Sequence, residues 1–148
     1  MRDVYEVAGT IAEKSGWGLS NLSLQKLAYL AQMVYLGETD SPLFAEDFEA
    51  WDYGPVVPSL YHSLKMFGAE PVRAYSRLRP VNNLTQDEAR VIDQMVDLGR
   101  KHRAARLVAL THWDKGAWAQ VYAKGIRGLT IPKQLIKAEF DRRMAAAK

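Results

Sequence analysis

Apolar residues recur at helical spacing along most of the chain. A first stripe lies within residues 3–14 and comprises Val4, Val7, Ala8, Ile11 and Ala12. A second, clearer stripe follows a Gly16-Trp17-Gly18 break and comprises Leu24, Leu27, Ala28, Ala31, Val34 and Tyr35. Spacings of three and four residues place each set on one face of an α-helix. The second helix is expected to begin at a Ser20 or Asn21 cap and to end at Gly37.

The segment after this helix has a different pattern. Residues 38–54 lack a helical stripe, and their second part, 47–53, has the aromatic content of a short strand. Gly54-Pro55 is then expected to start a helix, because proline at the first helical position loses no needed hydrogen bond. Gly68 is expected to end that helix. A second short strand is predicted around residues 72–76, which completes a small β element.

The second half of the chain is predicted to be helical. Thr85-Gln86-Asp87-Glu88 forms a capping box that opens a helix expected to end at Gly99. Three more helices are predicted from apolar spacing, over about residues 102–112, near residues 118–122, and from Pro132 onward.

Length and composition indicate one globular domain. The chain has 148 residues, of which 48% are hydrophobic and 25% charged, and domains contain roughly 100–200 residues. We therefore predict a mainly α fold in a single compact domain, residues 1–148, with about six or seven helices and the small β element. The core is expected to span about residues 4–140, and the tail 144–148 is expected to fray.

Several functional classes are excluded by what the sequence lacks. The chain has no cysteine, which excludes disulfides, cysteine-based zinc sites and thiol catalysis and is in keeping with a reducing cytoplasm. Met1-Arg2-Asp3 is not followed by the apolar segment of a signal peptide. The apolar stretch 22–36 is interrupted by polar residues and is too short to span a bilayer. A soluble cytoplasmic protein without a membrane partner is expected.

Charge is distributed unequally along the chain. Residues 1–70 contain 4 basic and 10 acidic side chains, a balance of −6, and residues 71–148 contain 16 and 7, a balance of +9. The tract 38–52 carries six carboxylates and no cation, whereas residues 100–106 carry four cations. Such poles either steer charged partners or are paired internally and solvated. Because the basic group is predicted to lie around a helix start, where cations are unfavourable, a use in binding is a reasonable hypothesis.

No catalytic motif is present. The chain has no nucleophile elbow, no phosphate-binding glycine loop and no zinc helix. Its histidines, His62, His102 and His112, lack metal-ligand spacing. We therefore predict no enzyme activity, no metal and no cofactor. A nucleic-acid-binding regulator is the main alternative, because the sequence pI is about 9.2 and the basic residues could neutralise phosphates; a small hydrolase is a third.

Two sequence blocks carry a resemblance to a known family. The first is Leu24-Gln-Lys-Leu-Ala-Tyr29, and the second runs from Phe48-Glu-Ala-Trp-Asp-Tyr-Gly-Pro-Val-Val-Pro58 to Tyr61. Together with Leu110-Thr-His112, Trp118 and the helix at 136–140, they resemble the Panacea antitoxin domain over residues 4–140. This chain has Ala117 where the family usually shows a proline before its late tryptophan.

The resemblance implies an antitoxin of a bacterial toxin–antitoxin pair. Such proteins neutralise a cognate protein toxin by direct binding, which requires no bond chemistry. Among them, SocA-type antitoxins are similar to this short form and act as proteolytic adaptors that deliver the toxin to the ClpXP protease through the ClpX unfoldase. Toxins paired with this domain are diverse, so the resemblance does not identify the toxin.

Candidate partner-binding residues follow from the motif and the charged poles: Gln25, Lys26, Glu46, Asp47, Trp51, Tyr53, Arg100 and Arg103. Gln25 and Lys26 either contact the toxin or the acidic loop, or form an internal hydrogen bond that fixes the turn after Trp51. Trp51 and Tyr53 are core aromatics or interface anchors, and strand alternation places both on one face. The motif residues expected to be structural are Gly54, Pro55, Thr111, His112 and Trp118.

Overall fold

The computed structural model of the protein describes residues 1–75 and 77–148. These residues form seven α-helices: α1 (Val4–Lys14), α2 (Asn21–Thr39), α3 (Pro58–Leu64), α4 (Gln86–Lys101), α5 (Ala104–Thr111), α6 (Ala117–Val121) and α7 (Lys133–Ala146). They also form three short strands and one 3-10 helix: β1 (Phe48–Trp51), β2 (Gly54–Val56), β3 (Thr130–Ile131) and Lys65–Phe67. The predicted mainly α fold with a small β element is confirmed. None of the helices in the described ranges is long and apolar enough to cross a membrane.

Helix α2 is the centre of the fold. It contacts α1, α4, α5, α7 and β2, so it is buried on nearly all sides rather than along one stripe. Its polar residues are consequently buried and need internal partners. Gln32, for example, donates from Nε2 to the Phe44 carbonyl at 2.9 Å and accepts at Oε1 from the Leu43 N–H at 2.8 Å. The chain after α2 is thereby fixed to the central helix.

The predicted end of α2 at Gly37 is wrong. The helix continues to Thr39 and ends at Asp40, which has a left-handed backbone conformation (φ 59°). Gly37 instead permits a close helix–helix approach, because a Cβ there would lie 2.0 Å from the Phe140 ring of α7. Helix α7 itself extends to Ala146, and fraying of the tail stays a prediction.

The sheet has the order β2-β1-β3, with both pairs antiparallel. A two-residue turn, Asp52-Tyr53, connects β1 to β2, and the positive φ of 106° falls on Gly54. The predicted helix start at Pro55 is therefore wrong: Pro55 lies in an edge strand, where a missing N–H is tolerated. Pro58 occupies the first turn of α3 instead.

The strand predicted around residues 72–76 is not formed by residues 72–75, and Ser76 lies outside the described residues. Val72 is buried and its N–H donates to the Leu19 carbonyl at 2.8 Å, beside an isolated bridge between Ser20 and Pro71. The third strand is Thr130–Ile131, which pairs with the free edge of β1. The Val72 segment is thus held by one backbone hydrogen bond instead of the hydrogen-bond ladder expected for a strand.

The capping box of α4 is confirmed. Thr85 Oγ1 accepts from the Glu88 N–H at 3.2 Å, and Glu88 Oε1 accepts from the Thr85 N–H at 2.9 Å. Glu88 also binds the Arg2 guanidinium at 3.0 Å, which lowers the pKa of its carboxyl against the opposing effect of burial. The box therefore joins the start of α4 to the N-terminus of the chain.

Thr85→Ala is expected to lower the free energy of unfolding by about 0.5–2 kcal/mol, because the cap hydrogen bond is lost. Thr85→Ser keeps the hydroxyl and is expected to stay close to wild type. Chemical denaturation of both variants tests this, and an alanine variant as stable as the serine variant would contradict it. Any loss of function is expected only in proportion to lost folded protein.

Candidate functional site

The motif residues Gln25 and Lys26 lie inside the protein and hold the β1–β2 hairpin. The Gln25 side chain accepts from the Val57 N–H at 3.0 Å, and Lys26 Nζ donates to the Pro55 carbonyl at 2.9 Å. Lys26 is fully buried and Gln25 is 1% exposed. This geometry matches the interpretation of an internal hydrogen bond that fixes the hairpin.

Lys26 is a buried amine without a carboxylate partner. Among the residues that the structure describes, no acidic side chain lies within salt-bridge distance of it, and burial lowers its pKa to about 7. A Cβ on Gly54 would lie 3.2 Å from both Lys26 Nζ and the His112 ring, and the φ of 106° is one that other residues rarely adopt, so a larger residue would be strained here. Burial, and then the charge of Lys26, lower the pKa of His112, with the Tyr53 backbone opposing.

A column of stacked rings supports the hairpin from the other side. His112 stacks on Trp118 with ring centroids 3.9 Å apart, and Trp118 stacks on Tyr122 at 4.5 Å. Trp118 Nε1 donates to the Trp51 carbonyl at 2.7 Å, and the Tyr122 hydroxyl donates to Asp52 at 2.6 Å. The late part of the chain thereby fixes the turn between β1 and β2.

Thr111 and the family motif around it have local structural roles. Thr111 is buried and its hydroxyl donates back to the Leu107 carbonyl at 3.1 Å, which satisfies it within α5. Ala117 stands where the resemblance noted above implies a proline, and its N–H donates to Glu139 at 2.9 Å. Proline has no N–H, so a proline at this position could not make this hydrogen bond.

Trp51 and Tyr53 line one groove on the surface but differ in exposure. Trp51 ends β1 and is 8% exposed, whereas Tyr53 is in the turn and is 70% exposed. Trp51 is therefore part of the scaffold, and Tyr53 is accessible.

The acidic tract is paired internally. Each of its six carboxylates has a partner: Glu38 with Arg90, Asp40 with Lys137, Glu46 with the Val4 N–H, Asp47 with Lys133, Glu49 with the Trp51 indole and Asp52 with Tyr122. Glu46 accepts at the start of α1, and Asp47 lies 2.6 Å from its lysine. Reversing the charges of Glu46 and Asp47 would disturb these internal contacts as well as any contact with a partner.

The basic pole is more accessible. Arg100 and Arg103 are exposed and line a cleft of about 450 Å³ together with Lys101 and His102. Within the described ranges, Lys101 is the one cation of residues 100–106 with an ion pair, to Asp97. The expected position at a helix start is only partly correct, because Arg100 and Lys101 end α4, where the helix dipole favours cations. Arg103 is the N-cap of α5.

Sequence reasoning missed a buried network around Glu139. This fully buried carboxylate accepts from the Tyr29 hydroxyl at 2.7 Å and pairs with Arg143 at 2.7 Å. Burial and the Glu139 charge raise the pKa of Tyr29. The available signal was the place of Glu139 among the apolar positions Leu135, Ile136 and Phe140 of the last helix.

Comparison with known proteins gives this arrangement a family. The sequence model "Antitoxin SocA-like, Panacea domain" matches residues 24–119, well over half of the chain. The chain belongs to this Panacea-domain family. The matched range contains Lys26, the β1–β2 hairpin, His112 and Trp118, whereas Tyr122, the last ring of the column, lies just beyond it.

One curated relative and a search of solved structures complete the comparison. The chain is 32% identical over 138 residues to Antitoxin SocA of Caulobacter vibrioides (strain NA1000 / CB15N), covering 82% of this chain and 72% of the relative. No solved structure matches the chain significantly. Membership of the Panacea family and the similarity to Antitoxin SocA support an antitoxin function.

Proposed function

We propose that the protein is an antitoxin that neutralises a cognate protein toxin by binding it directly. The observation that carries this proposal is the similarity to Antitoxin SocA over 82% of the chain. The motif residues agree with a binding module, because Lys26, Gln25 and His112 support the hairpin from inside. The hairpin in turn presents Tyr53, at its tip, to solvent.

We further propose that binding serves delivery of the toxin to ClpXP. An adaptor must hold a toxin and an unfoldase at the same time, so it needs two accessible surfaces. The described residues offer two of different chemistry: the exposed aromatic turn at Tyr53, and the cationic cleft formed by Arg100 and Arg103. Separate surfaces would allow ClpX to engage a bound complex.

A genetic experiment tests both steps. The small reading frame adjacent to this one is expressed alone, with this protein, and with this protein in a strain that lacks ClpX. If the neighbouring gene product is toxic when expressed alone and this toxicity is relieved by co-expression, the result supports the antitoxin function. A product that is harmless when expressed alone, or toxic both with and without this protein, contradicts it. Rescue that is lost without ClpX, with a longer toxin half-life, supports the adaptor step, whereas unchanged rescue contradicts that step alone.

The cationic cleft also favours one alternative, a nucleic-acid-binding regulator. Phosphate neutralisation by Arg100, Arg103 and Lys101 would make binding fall steeply with salt. A salt titration of DNA binding by the purified protein separates the two functions. A steep dependence and tight binding at physiological salt would favour the regulator over the antitoxin.

Arg100→Glu combined with Arg103→Glu is expected to slow association with one protein partner about tenfold at low salt, and to change dissociation little, because exposed charges act mainly on encounter. Melting is expected to stay nearly unchanged, since neither arginine forms an ion pair among the described residues. The helix dipole disfavours the new anion at the end of α4 but favours the one at the start of α5, so these two effects oppose each other. Lys124→Glu with Lys148→Glu is the matched control, with the same change in net charge. Equal association rates for both double variants would contradict a role of the cleft.

A further inference from the structure

One groove on the surface is formed mainly by aromatic and aliphatic side chains. It has a volume of about 350 Å³ and lies between the start of α2, the hairpin and the segment that follows α3. We call it the aromatic groove; its principal lining residues are Leu22, Trp51, Tyr53, Tyr61, Lys65 and Arg127. Its size is at the lower end of the roughly 300–1,000 Å³ typical of ligand sites, enough to receive a few side chains.

The floor of the aromatic groove is held rigidly. The Trp51 indole N–H is already bound to Glu49 at 2.9 Å, and the ring packs edge-on against Tyr61 with centroids 5.1 Å apart. The Arg127 guanidinium lies 4.3 Å from the Trp51 ring centroid. An aromatic surface that is ordered before binding loses little conformational entropy when a partner arrives.

Two exposed apolar side chains line the aromatic groove. Tyr53 is 70% exposed and Leu22 is 37% exposed, although both are large apolar side chains. Tight two-residue turns favour glycine, asparagine or aspartate, so the geometry of the hairpin does not require a tyrosine at position 53. Exposed tyrosines are typical of residues that dominate the binding energy of protein interfaces.

The charged side chains that line the aromatic groove have one sign. Lys65 and Arg127 line it, and no carboxylate does so among the described residues. Neither cation forms an ion pair within residues 1–75 and 77–148. A complementary partner therefore combines an apolar side chain with an adjacent carboxylate.

We propose that the aromatic groove is the docking site of the toxin, which inserts an apolar side chain beside Tyr53 and Leu22 and places a carboxylate within reach of Lys65 and Arg127. This inference rests on the proposed antitoxin function and specifies its binding surface. The partner is a folded or extended protein segment of that chemistry, and a second copy of this chain is the competing occupant.

The first experiment measures equilibrium binding of the purified toxin to wild type and to Leu22→Gln/Tyr53→Asn. Both substitutions keep the local backbone preferences, a helix-forming residue in α2 and a turn-forming residue in the hairpin. Affinity is expected to fall about 30-fold or more, as for loss of an interface hot spot. Met144→Gln, which changes an apolar residue 51% exposed on α7, is the control and is expected to bind as wild type.

The outcomes separate the groove from the antitoxin function. If wild type binds the toxin and the folded double variant binds it equally well, the groove proposal is wrong while the antitoxin function stands. If wild type itself does not bind, the proposed function fails first. A double variant that changes the oligomeric state but not toxin affinity would assign the groove to a second copy and overturn the proposal.

A charge-reversal experiment tests the carboxylate. Arg127→Glu is expected to weaken toxin binding, and replacing the acidic residues of the toxin one by one with lysine is expected to yield one change that restores affinity at least fivefold. Restoration specific to Arg127→Glu, absent with Met144→Gln, would support the pairing. Failure of every toxin variant to restore binding would overturn the assignment of a carboxylate to this site.

Discussion

Glu139→Ala is expected to lower the free energy of unfolding by about 3–5 kcal/mol, the range for removal of one partner from a buried ion pair. Glu139 is fully buried and accepts hydrogen bonds from the Tyr29 hydroxyl and the Ala117 N–H. It also binds Arg143 at 2.7 Å. The alanine variant would leave the Tyr29 hydroxyl of α2 and the Ala117 N–H of α6 without their acceptor, and Arg143 of α7 with only the Leu110 carbonyl, so the cost extends across the fold.

Asp141→Ala is the matched control on the same helix. The Asp141 side chain is 60% exposed and pairs only loosely with Lys137, at 3.8 Å, so its loss is expected to cost less than about 0.5 kcal/mol. Denaturant unfolding at constant pH measures both variants. Similar midpoints for Glu139→Ala and Asp141→Ala would contradict the role of Glu139 as a central acceptor.

Wild-type stability is expected to rise as pH increases from about 7 toward 10, by at most about 1.4 kcal/mol per pH unit from Lys26. The pKa of Lys26 is lowered to about 7 in the folded protein from an ordinary value of 10.5. Between those values the unfolded chain binds one more proton than the folded chain, so raising the pH favours folding. Lys26→Met removes the amine and is expected to remove this rise.

His112 also makes the folded protein more stable as the pH rises, but over a lower pH range than Lys26. Because its folded pKa lies below the ordinary 6.5, stability is expected to fall as pH drops below that value.

Lys65→Met, which replaces an exposed lysine, is the control for Lys26→Met and is expected to keep the alkaline rise. Denaturant unfolding from pH 6 to 10 tests this, and identical pH slopes for wild type and Lys26→Met would contradict it.

Local signals in the sequence were sufficient for most helices. The stripe of α1 and the capping box at Thr85 are properties of neighbouring residues, and both are confirmed. The start of α3 was misplaced because Pro55 and Pro58 are equally good helix openers by local rules. The choice between them depends on β1, which pairs with β2 through Pro55.

The burial of α2 on nearly all sides could not be predicted from its own pattern. Lys26 and Gln25 are buried because β2 covers one side of the helix, while α7 packs against it from far along the chain. The acidic tract behaves similarly, since its partners Arg90, Lys133 and Lys137 come from α4 and α7. Only the tertiary fold shows which charges are paired.

The candidate site was predicted in part. The family blocks directed attention to the hairpin, and the turn residue Tyr53 is accessible there. The difference in exposure between the buried Trp51 and the exposed Tyr53 could not be predicted, because it depends on where the strand ends. Arg127 was not singled out, since its position over Trp51 comes from a connection between α6 and β3 that has no periodic pattern.

The most direct test of the account is a titration of the purified protein with the purified product of the adjacent toxic reading frame, with no protease present. Direct neutralisation predicts a stable complex with a Kd of about 1 µM or tighter, which corresponds to about −8 kcal/mol. It also predicts weaker binding by Leu22→Gln/Tyr53→Asn than by Met144→Gln. The absence of any complex between two folded proteins, despite rescue in cells, would contradict the claim that this antitoxin acts by binding its toxin.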